Sequence, residues 1–559
     1  MTGEADTRPS AFEQWRSATL APFSHRAFAS FWWASLVSSL GSLIQTVGAS
    51  WLMATISPAA NQVALVQAAG ALPFFFFSLI AGAFADTHDR RSIMLGAQVL
   101  MFGASASLAL IVFLGEISPL VLLALTFLIG CGSAAFAPAW QASIGEQVPR
   151  ALIPSAVMAN AVGFNLARSV GPAIGGALVA AVGAAAAFVV NALSYVGMLI
   201  ALLRWRPTTP RNPLPPEPLV SAITAGLRYV VLSPHLLATL GRCLLYTTPL
   251  AVVPALMPIV ARDLLGGGAL TYGLLLAGFG IGAMCAALSS ATVRTRFSSE
   301  RLFRILSVLA FIALITIGQS RWLPLTLLAH VLAGSVWTMG LATFNISIQL
   351  SSPRWVTGRT LAIYQTVAFG GMALGSWCWG EFASLLGVRE SVSIAAATVL
   401  ATLIVARWIP ISTEHVGSLD PQATAAVRPP QMPIDSSSGP IVVTIEYRVP
   451  PENAAAFVAV VNELGRIRRR DGARRWSVCQ DIDEPQHWLE RFESPTWMDY
   501  LRRQTRPTQA DQAVRQQIAE LILGEQATVR RLIERPTGSD PLGTERARTE
   551  PLDDTSSHG

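Results

Sequence analysis

The sequence predicts an all-α polytopic membrane protein, with twelve transmembrane helices in two six-helix bundles and a small C-terminal cytoplasmic α+β domain of ferredoxin-like order. Three observations carry this prediction. About twelve apolar runs near the roughly 20 residues that cross a bilayer as a helix lie between residues 28 and 408. The chain is 52% hydrophobic and only 13% charged over 559 residues, where a soluble domain carries about 25% charged residues. Beyond residue 440 the apolar runs give way to short alternating segments separated by amphipathic ones.

Residues 1–27 are polar, with Arg8, Arg16 and Arg26. They read as a cytoplasmic N-terminal segment, because the apolar run that follows is too long for a signal peptide. The spans fall at 28–54, 63–85, 92–114, 118–141, 155–181 and 183–203, then at 236–261, 269–292, 300–318, 322–350, 356–386 and 388–408. The bundles are thus 28–203 and 236–408. The break between them, 204–235, holds Arg204, Arg206 and Arg211, a proline cluster from Pro207 to Pro218, and a short amphipathic piece from Leu219 to Leu232. Residues 409–440, rich in Pro, Ser, Thr and Ala, read as a linker.

From 441 to 535 the pattern is βαββαβ. Ile441 to Val449 alternates as a strand and Pro451 to Arg470 reads as a helix. Arg474 to Ile482 and His487 to Glu493 are strands, Thr496 to Arg503 and about 509–523 are helices, and Ala527 to Glu534 is a last strand. Residues 536–559 are polar and expected to be disordered.

Arginine placement sets orientation, since inner loops are enriched in basic residues. One set of alternate loops carries Arg90, Arg91, Arg150, Arg204, Arg206, Arg211, Arg294, Arg296, Arg301, Arg304, Arg354 and Arg359. The other set holds Arg262, Arg321 and Arg389. Both termini are therefore predicted to be cytoplasmic, in a multi-pass cell-membrane protein whose first partner is the lipid bilayer.

Composition also excludes chemistry. All 40 Lys-or-Arg positions are arginine. Without lysine there is no Walker A motif and no Schiff base. The five cysteines form no CxxC pair and four lie in apolar runs, which favours packing over disulfides or metal. The seven histidines show no zinc-binding spacing. No cofactor, metal or catalytic residue is assigned. The glycine run Gly278-Phe279-Gly280-Ile281-Gly282 has a nucleotide-loop look but lies inside a predicted span, where small residues serve close helix packing. The orientation pattern accounts for the basic residues, so no nucleic-acid role is implied.

Several stretches together resemble the major facilitator superfamily, and within it the bacterial subgroup containing the enterobactin exporter and other transmembrane secretion effectors. They are Val37 to Gly41 through Trp51-Leu52, Leu65 to Phe75, Asn160 to Gly176, Trp337 to Gln349, and Gly358 to Gly375. The C-terminal part resembles the antibiotic-monooxygenase-like domain attached to this subgroup. The resemblance implies a secondary transporter that works by alternating access and exports a small amphipathic molecule such as a siderophore, antibiotic or drug, with protons as the coupling ion.

Residue by residue, Gly82, Asp86, Arg90 and Arg91 match the superfamily's loop motif between the second and third spans. The family pattern has arginine after the aspartate and glycine before the arginine pair; here those positions are Thr87 and Asp89. Gating is expected to place Asp86 at the positive N-terminus of the eleventh span, near Thr357 and Gly358, and to pair Arg90 or Arg91 with Glu146. The alternative is an ordinary solvated inner loop. Gly171, Pro172, Gly175 and Gly176 match the fifth-span motif associated with drug and proton antiporters, although Ala167 stands where a glycine is usual.

Arg168 lies about 20 Å into the fifth span at 1.5 Å per residue, where an unpaired charge costs about 2.5–3.5 kcal/mol or more. It either binds an anionic substrate group, pairs with a carboxylate, or pins structure beside Asn165. Arg242, nearer an edge, reads as a snorkelling side chain. Substrate-cavity candidates are Gln45, Trp51, Trp140, Gln141, Asn345, Gln349, Tyr364 and Gln365. Each reads equally well as helix-packing glue. The spans offer weak support for proton coupling: Asp86 and Glu146 sit at the inner edge, Glu381 near the outer end of span eleven, and Asp263 outside span seven.

In the C-terminal domain Trp476, His487, Trp488 and Tyr500 could line a pocket, or build the core. A competing reading therefore makes residues 441–535 a membrane-anchored, cofactor-independent monooxygenase-like enzyme or sensor. No nucleophile–base pair is visible there, which favours a non-catalytic or homodimerising role.

Overall fold

The computed structural model describes residues 21–87, 89–149, 152–205, 219–353, 355–409, 429–504, 506–523 and 527–535. Within helices it leaves out the side chains of 79, 82–83, 85–87, 154, 219, 222 and 291. The sequence expectations for residues 1–20 of the N-terminal segment, the 536–559 tail and most of the 409–440 linker lie outside the described residues. Two compact units are present, one helical and one built on a sheet.

In the helical unit the first bundle comprises α1 (Arg26–Ile56), α2 (Ala60–Thr87), α3 (Arg90–Phe113), α4 (Pro119–Gln147), α5 (Ile153–Val182) and α6 (Ala184–Arg204). The connecting α7 (Leu219–Val231) carries Arg228 in its last turn. The second bundle comprises α8 (Pro234–Leu250), α9 (Val252–Ile259), α10 (Ala269–Arg296), α11 (Ser299–Gln319), α12 (Leu323–Leu350), α13 (Thr357–Leu386) and α14 (Val388–Ala406).

Two features differ from the sequence expectation. The seventh span is broken rather than one helix: α8 ends at Leu250, α9 follows, and a π turn covers Val260–Leu264. Pro249, Pro254 and Pro258 fall in this stretch. Each lacks an N–H and crowds the carbonyl one turn back, which is the physical cause of such breaks. In addition, eleven helical stretches among the described residues, the broken Pro234–Leu264 counted as one, are long and apolar enough to cross a membrane. The exception is α13, where Gly, Ser, Gln, Trp and Glu381 dilute the aliphatic residues. Its contacts along α2 supply the burial that its own composition does not.

Inside the second bundle α10 and α12 approach at backbone distance. A Cβ added at Gly282 would overlap the Val331 carbonyl oxygen, and one at Gly334 would overlap that of Phe279. The two bundles meet along α5–α10 and α2–α13. At the first seam a Cβ on Gly176 would come within 2.8 Å of Gly273 Cα, and one on Gly280 would overlap the Arg168 carbonyl. At the second, Phe74 stacks on Phe369 at 4.5 Å and Ser78 Oγ lies 2.7 Å from Thr366 Oγ1.

The sheet unit comprises β1 (Ile441–Arg448), α15 (Ala454–Arg470), β2 (Arg474–Gln480), β3 (His487–Ser494), α16 (Trp497–Gln504), α17 (Gln509–Leu521) and β4 (Thr528–Ile533). The strand order is β2-β3-β1-β4, antiparallel at every pairing. This is the ferredoxin-like order, with the second helix divided into α16 and α17. Val443, Ile445, Tyr447, Phe457, Val461, Leu464 and Phe492 form its core.

Candidate functional site

Charges gather at the end of the helical unit where α2 meets α3 and α4 ends. Asp89 is the N-cap of α3: Ser92 N donates to its carboxylate at 3.0 Å and Ser92 Oγ at 2.6 Å. The Ser92 hydroxyl bond holds Asp89 below the usual carboxylate range. The residue that replaces the family's glycine thus takes a capping role. Arg90 Nη1 pairs with Glu146 Oε1 at 2.6 Å and donates to the Ala142 carbonyl at 3.2 Å. Arg91 donates to the Leu202 and Leu203 carbonyls at 2.8 and 2.9 Å, so it caps the C-terminal end of α6. Glu146 reaches Arg90 because α4 continues six residues past the apolar run, to Gln147. Gly82 and Asp86 fall among the positions whose side chains are not described.

The second bundle carries a brace that motif reading missed. Arg242 of α8 is buried, pairs with Glu300 at 2.5 Å, and donates to the Ile409 carbonyl at 3.4 Å. It also lies 5.5 Å over the Phe303 ring. Arg242 therefore tethers three elements rather than snorkelling. The pair joins residues 58 apart in sequence, so no local pattern announces it.

Along α5, Leu43 packs at Gly171, and Ile44 packs at Gly175. The Pro172 carbonyl faces Gly273, and Gly176 meets α10. Asn165 donates to its own helix at Ala161 O, 2.8 Å away, and does not brace Arg168. The Arg168 guanidinium instead lies 5.5 Å over the ring of Phe279 in α10.

The cavity candidates do not form one group. Gln45 borders a cavity of about 180 Å³ among α1, α2, α4 and α6. Its Oε1 accepts from Asn191 Nδ2 at 2.5 Å and from the Ser105 hydroxyl, and Asn191 reaches Tyr195 OH at 3.1 Å. Sequence reading passed over Asn191 and Ser105, although each is a polar residue within an apolar run. Trp51 stacks on Tyr272 of α10 at 6.5 Å, across the two bundles. Trp140 packs against Phe31 and Phe136 in a local core. Tyr364 is buried with its hydroxyl on the Leu341 carbonyl at 2.9 Å. Asn345 and Gln349 bond to each other at 2.5 Å, Gln141 is exposed, and Gln365 is half-buried.

At the opposite end of the helical unit Arg262 pairs with Asp263 at 2.7 Å and donates to the Ala54 carbonyl of α1. Asn61 Nδ2 donates to Glu381 at 3.1 Å and Asn61 N to Ser384 Oγ at 3.0 Å. These bonds tie the two bundles together at this end.

In the sheet unit the four aromatic candidates go separate ways. Trp476 Nε1 donates to Glu490 at 2.9 Å, Trp488 packs edge-on against Phe457, His487 Nε2 accepts from Arg448 at 2.7 Å, and Tyr500 stacks on Trp497. The centre of the polar arrangement is Glu490. It is fully buried and also holds Tyr447 OH at 2.8 Å and Arg468 at 3.3 Å.

Arg503 is buried beside this cluster, 4.1 Å over the Phe492 ring, with neither Nη1 nor Nη2 hydrogen-bonded. Burial, with Arg468 adding repulsion, pushes its pKa down to about 9. A base with a lowered folded-state pKa binds its proton less tightly when folded, so stability rises as pH climbs through about 9 toward the ordinary arginine range. Arg503→Met is expected to stabilise the sheet unit at pH 7 by about 1 kcal/mol or more and to abolish that alkaline rise. Thermal protease-resistance curves at pH 7 and at higher pH check this; a variant less stable at both contradicts it.

The model of the transmembrane secretion effector family matches residues 17–537. A multidrug efflux pump, Tap, of Mycolicibacterium fortuitum is 26% identical over 389 residues, covering 67% of this chain and 94% of the pump. The staphyloferrin A transporter of Staphylococcus aureus is 23% identical over 384 residues, covering 67% of this chain and 94% of that protein. Among solved structures, a bacterial homologue of the human lysosomal transporter Spinster, inward-facing and occupied, superposes with a TM-score of 0.56 at 14% identity. That match covers 69% of this chain and 97% of the other, and it shows the fold.

Proposed function

The chain belongs to the transmembrane secretion effector family of major facilitator transporters, and on that premise we propose that it exports a small amphipathic molecule, a siderophore, antibiotic or drug, by alternating access. The observation that carries this reading is the seam between the bundles. Glycine backbones of α5 and α10 touch there, which suits one bundle rocking against the other about a site between them. The two relatives, a multidrug efflux pump and a staphyloferrin A transporter, bracket the substrate class.

The gate is assigned to Gly82, Asp86, Arg90, Arg91 and Glu146, supported by the 2.6 Å Arg90–Glu146 pair. The arginine bias of the loops supports a bacterial inner-membrane location with both termini cytoplasmic. For proton coupling, candidate titratable groups in the described spans include Glu381, bonded to Asn61, and His330, buried with Nδ1 2.7 Å from the Thr326 carbonyl. Residues 441–535 are read as a non-catalytic, monooxygenase-like module suited to homodimer formation. Glu490, its most buried acid, is already engaged by three donors.

The test compares culture supernatant and cell extract of a deletion strain complemented with wild type or Asp86→Asn. Wild type is expected to restore release of a metabolite retained in the deletion strain. Asp86→Asn should release several-fold less at equal expression. Unchanged release from the deletion strain would sink the exporter reading, and normal release by Asp86→Asn would sink the gate.

A further inference from the structure

The cavity of about 180 Å³ among α1, α2, α4 and α6 is lined by amide, hydroxyl and apolar groups, and none of the described residues bordering it is ionisable. Two of its polar atoms are unspent. Gln45 Oε1 accepts from Asn191 and Ser105. Asn191 is held in that orientation because its own Oδ1 accepts from Ser194 Oγ at 3.2 Å. Gln45 Nε2 is left without an acceptor among the described residues. Gln67 of α2 donates through Nε2 to Ser50 Oγ at 3.4 Å, and its Oε1 accepts from no described residue. One glutamine therefore offers a spare N–H donor, and the other a spare carbonyl acceptor, on the border of the same cavity. Gly70 also borders it, and a Cβ added there would meet no atom within 4 Å. Phe74, on the same wall, stacks on Phe369 of α13 at 4.5 Å, so an occupant touches a residue of the seam between the bundles.

We propose that the exported molecule carries an uncharged carboxamide-type group that docks in this cavity. Its carbonyl accepts from Gln45 Nε2, its N–H donates to Gln67 Oε1, and the apolar body of the molecule lies against Phe74. This deepens the exporter reading and rests on it. A carboxylate or ammonium entering the cavity would be buried without a counter-ion, which is far costlier than burying a hydrogen-bonded amide. A purely apolar group would leave both glutamines unpaired. The volume is below the roughly 300–1,000 Å³ of a whole drug-sized pocket, so the cavity seats one group and not an entire molecule.

The test measures dansyl fluorescence on the purified full chain in lipid nanodiscs with four probes of one body: dansyl-glycinamide, dansyl-glycine methyl ester, dansyl-glycine and dansyl-ethylenediamine. The glycinamide has both hydrogen-bonding functions, the ester lacks the terminal N–H, and the last two are an anion and a cation at neutral pH. Wild type is expected to bind the glycinamide at least about tenfold more tightly than each of the others. Gly70→Leu fills the cavity from an open position and should weaken glycinamide binding at least about tenfold, with an unchanged gel-filtration peak. Gln67→Leu removes the acceptor, and its expected result is equal binding of glycinamide and ester. Loss of preference between that one pair of probes isolates the Gln67 contact from any general loosening of the bundle.

The proposal is overturned if wild type binds the anion, the cation or the ester as tightly as the glycinamide, or binds none of the four. It is equally overturned if folded Gly70→Leu binds the glycinamide normally, or if Gln67→Leu keeps the preference over the ester. If Gly70→Leu gives no monodisperse protein, Gln67→Leu decides, and wild-type selectivity is read in either case. Binding needs no transport cycle, so the two readings fail separately. Lost selectivity with normal metabolite release overturns the amide site alone, whereas intact selectivity with no metabolite release overturns the exporter reading.

Discussion

Glu490→Ala is expected to unfold the C-terminal sheet unit. The carboxylate is fully buried and accepts from Tyr447 OH and Trp476 Nε1 while pairing with Arg468. Alanine would leave a buried arginine without its counter-ion, which costs about 3–5 kcal/mol. It would also orphan two neutral donors, at about 1–3 kcal/mol each. Domains of this size hold about 5–15 kcal/mol in total, so the loss takes most or all of the stability. Glu490→Gln keeps an oxygen for one donor and removes the charge, and its effect should be intermediate. Limited thermolysin digestion of the full chain reads both. The 429–535 region should be resistant in wild type, partly cut in Glu490→Gln and rapidly cut in Glu490→Ala. Equal resistance in all three would show that the cluster is not what holds this unit together.

Gly334→Val should prevent the second bundle from assembling. The position faces the Phe279 carbonyl so closely that even a Cβ overlaps it, and Gly282 faces Val331 in the same way one turn along. Inserting a methylene into a packed core costs about 1–3 kcal/mol when side chains can yield. Here the obstacle is backbone on a neighbouring helix, so α10 and α12 must separate and lose the contact that orders both. The expected result is loss of the monodisperse peak of detergent-purified protein on gel filtration, with little chain recovered from membranes. Gly96→Val, at a glycine with open space around it, is the control and should behave as wild type. A normal peak for Gly334→Val would mean that the α10–α12 approach is not required.

Much of this molecule follows from local pattern. Runs of apolar residues of bilayer length mark the spans, arginine bias marks their ends, and the alternation from Ile441 onward marks the strands, because each depends on residues within a few turns of one another. The break in the seventh span was also written in Pro249, Pro254 and Pro258, although where the helix ends and the π turn begins depends on its neighbours. Asp89 as an N-cap before Ser92 was equally local, but reading it against a family pattern disguised it as a departure.

Partnership was not legible. Arg90 and Glu146 are 56 residues apart, Arg242 and Glu300 are 58 apart, and Gln45 and Asn191 are 146 apart. Nothing in a linear pattern says which polar residue of a span will find which other. The sequence by itself determined that this chain is a polytopic membrane protein with an appended ferredoxin-like unit. Tertiary packing alone decided that Trp140 meets Phe31 and Phe136, that Tyr364 reaches the Leu341 carbonyl, that Arg242 is braced, and that Glu490 joins a buried cluster. The physical reason is range. Hydropathy and periodicity act over one or two helical turns, whereas pairing and burial of a polar group depend on which distant helix arrives beside it.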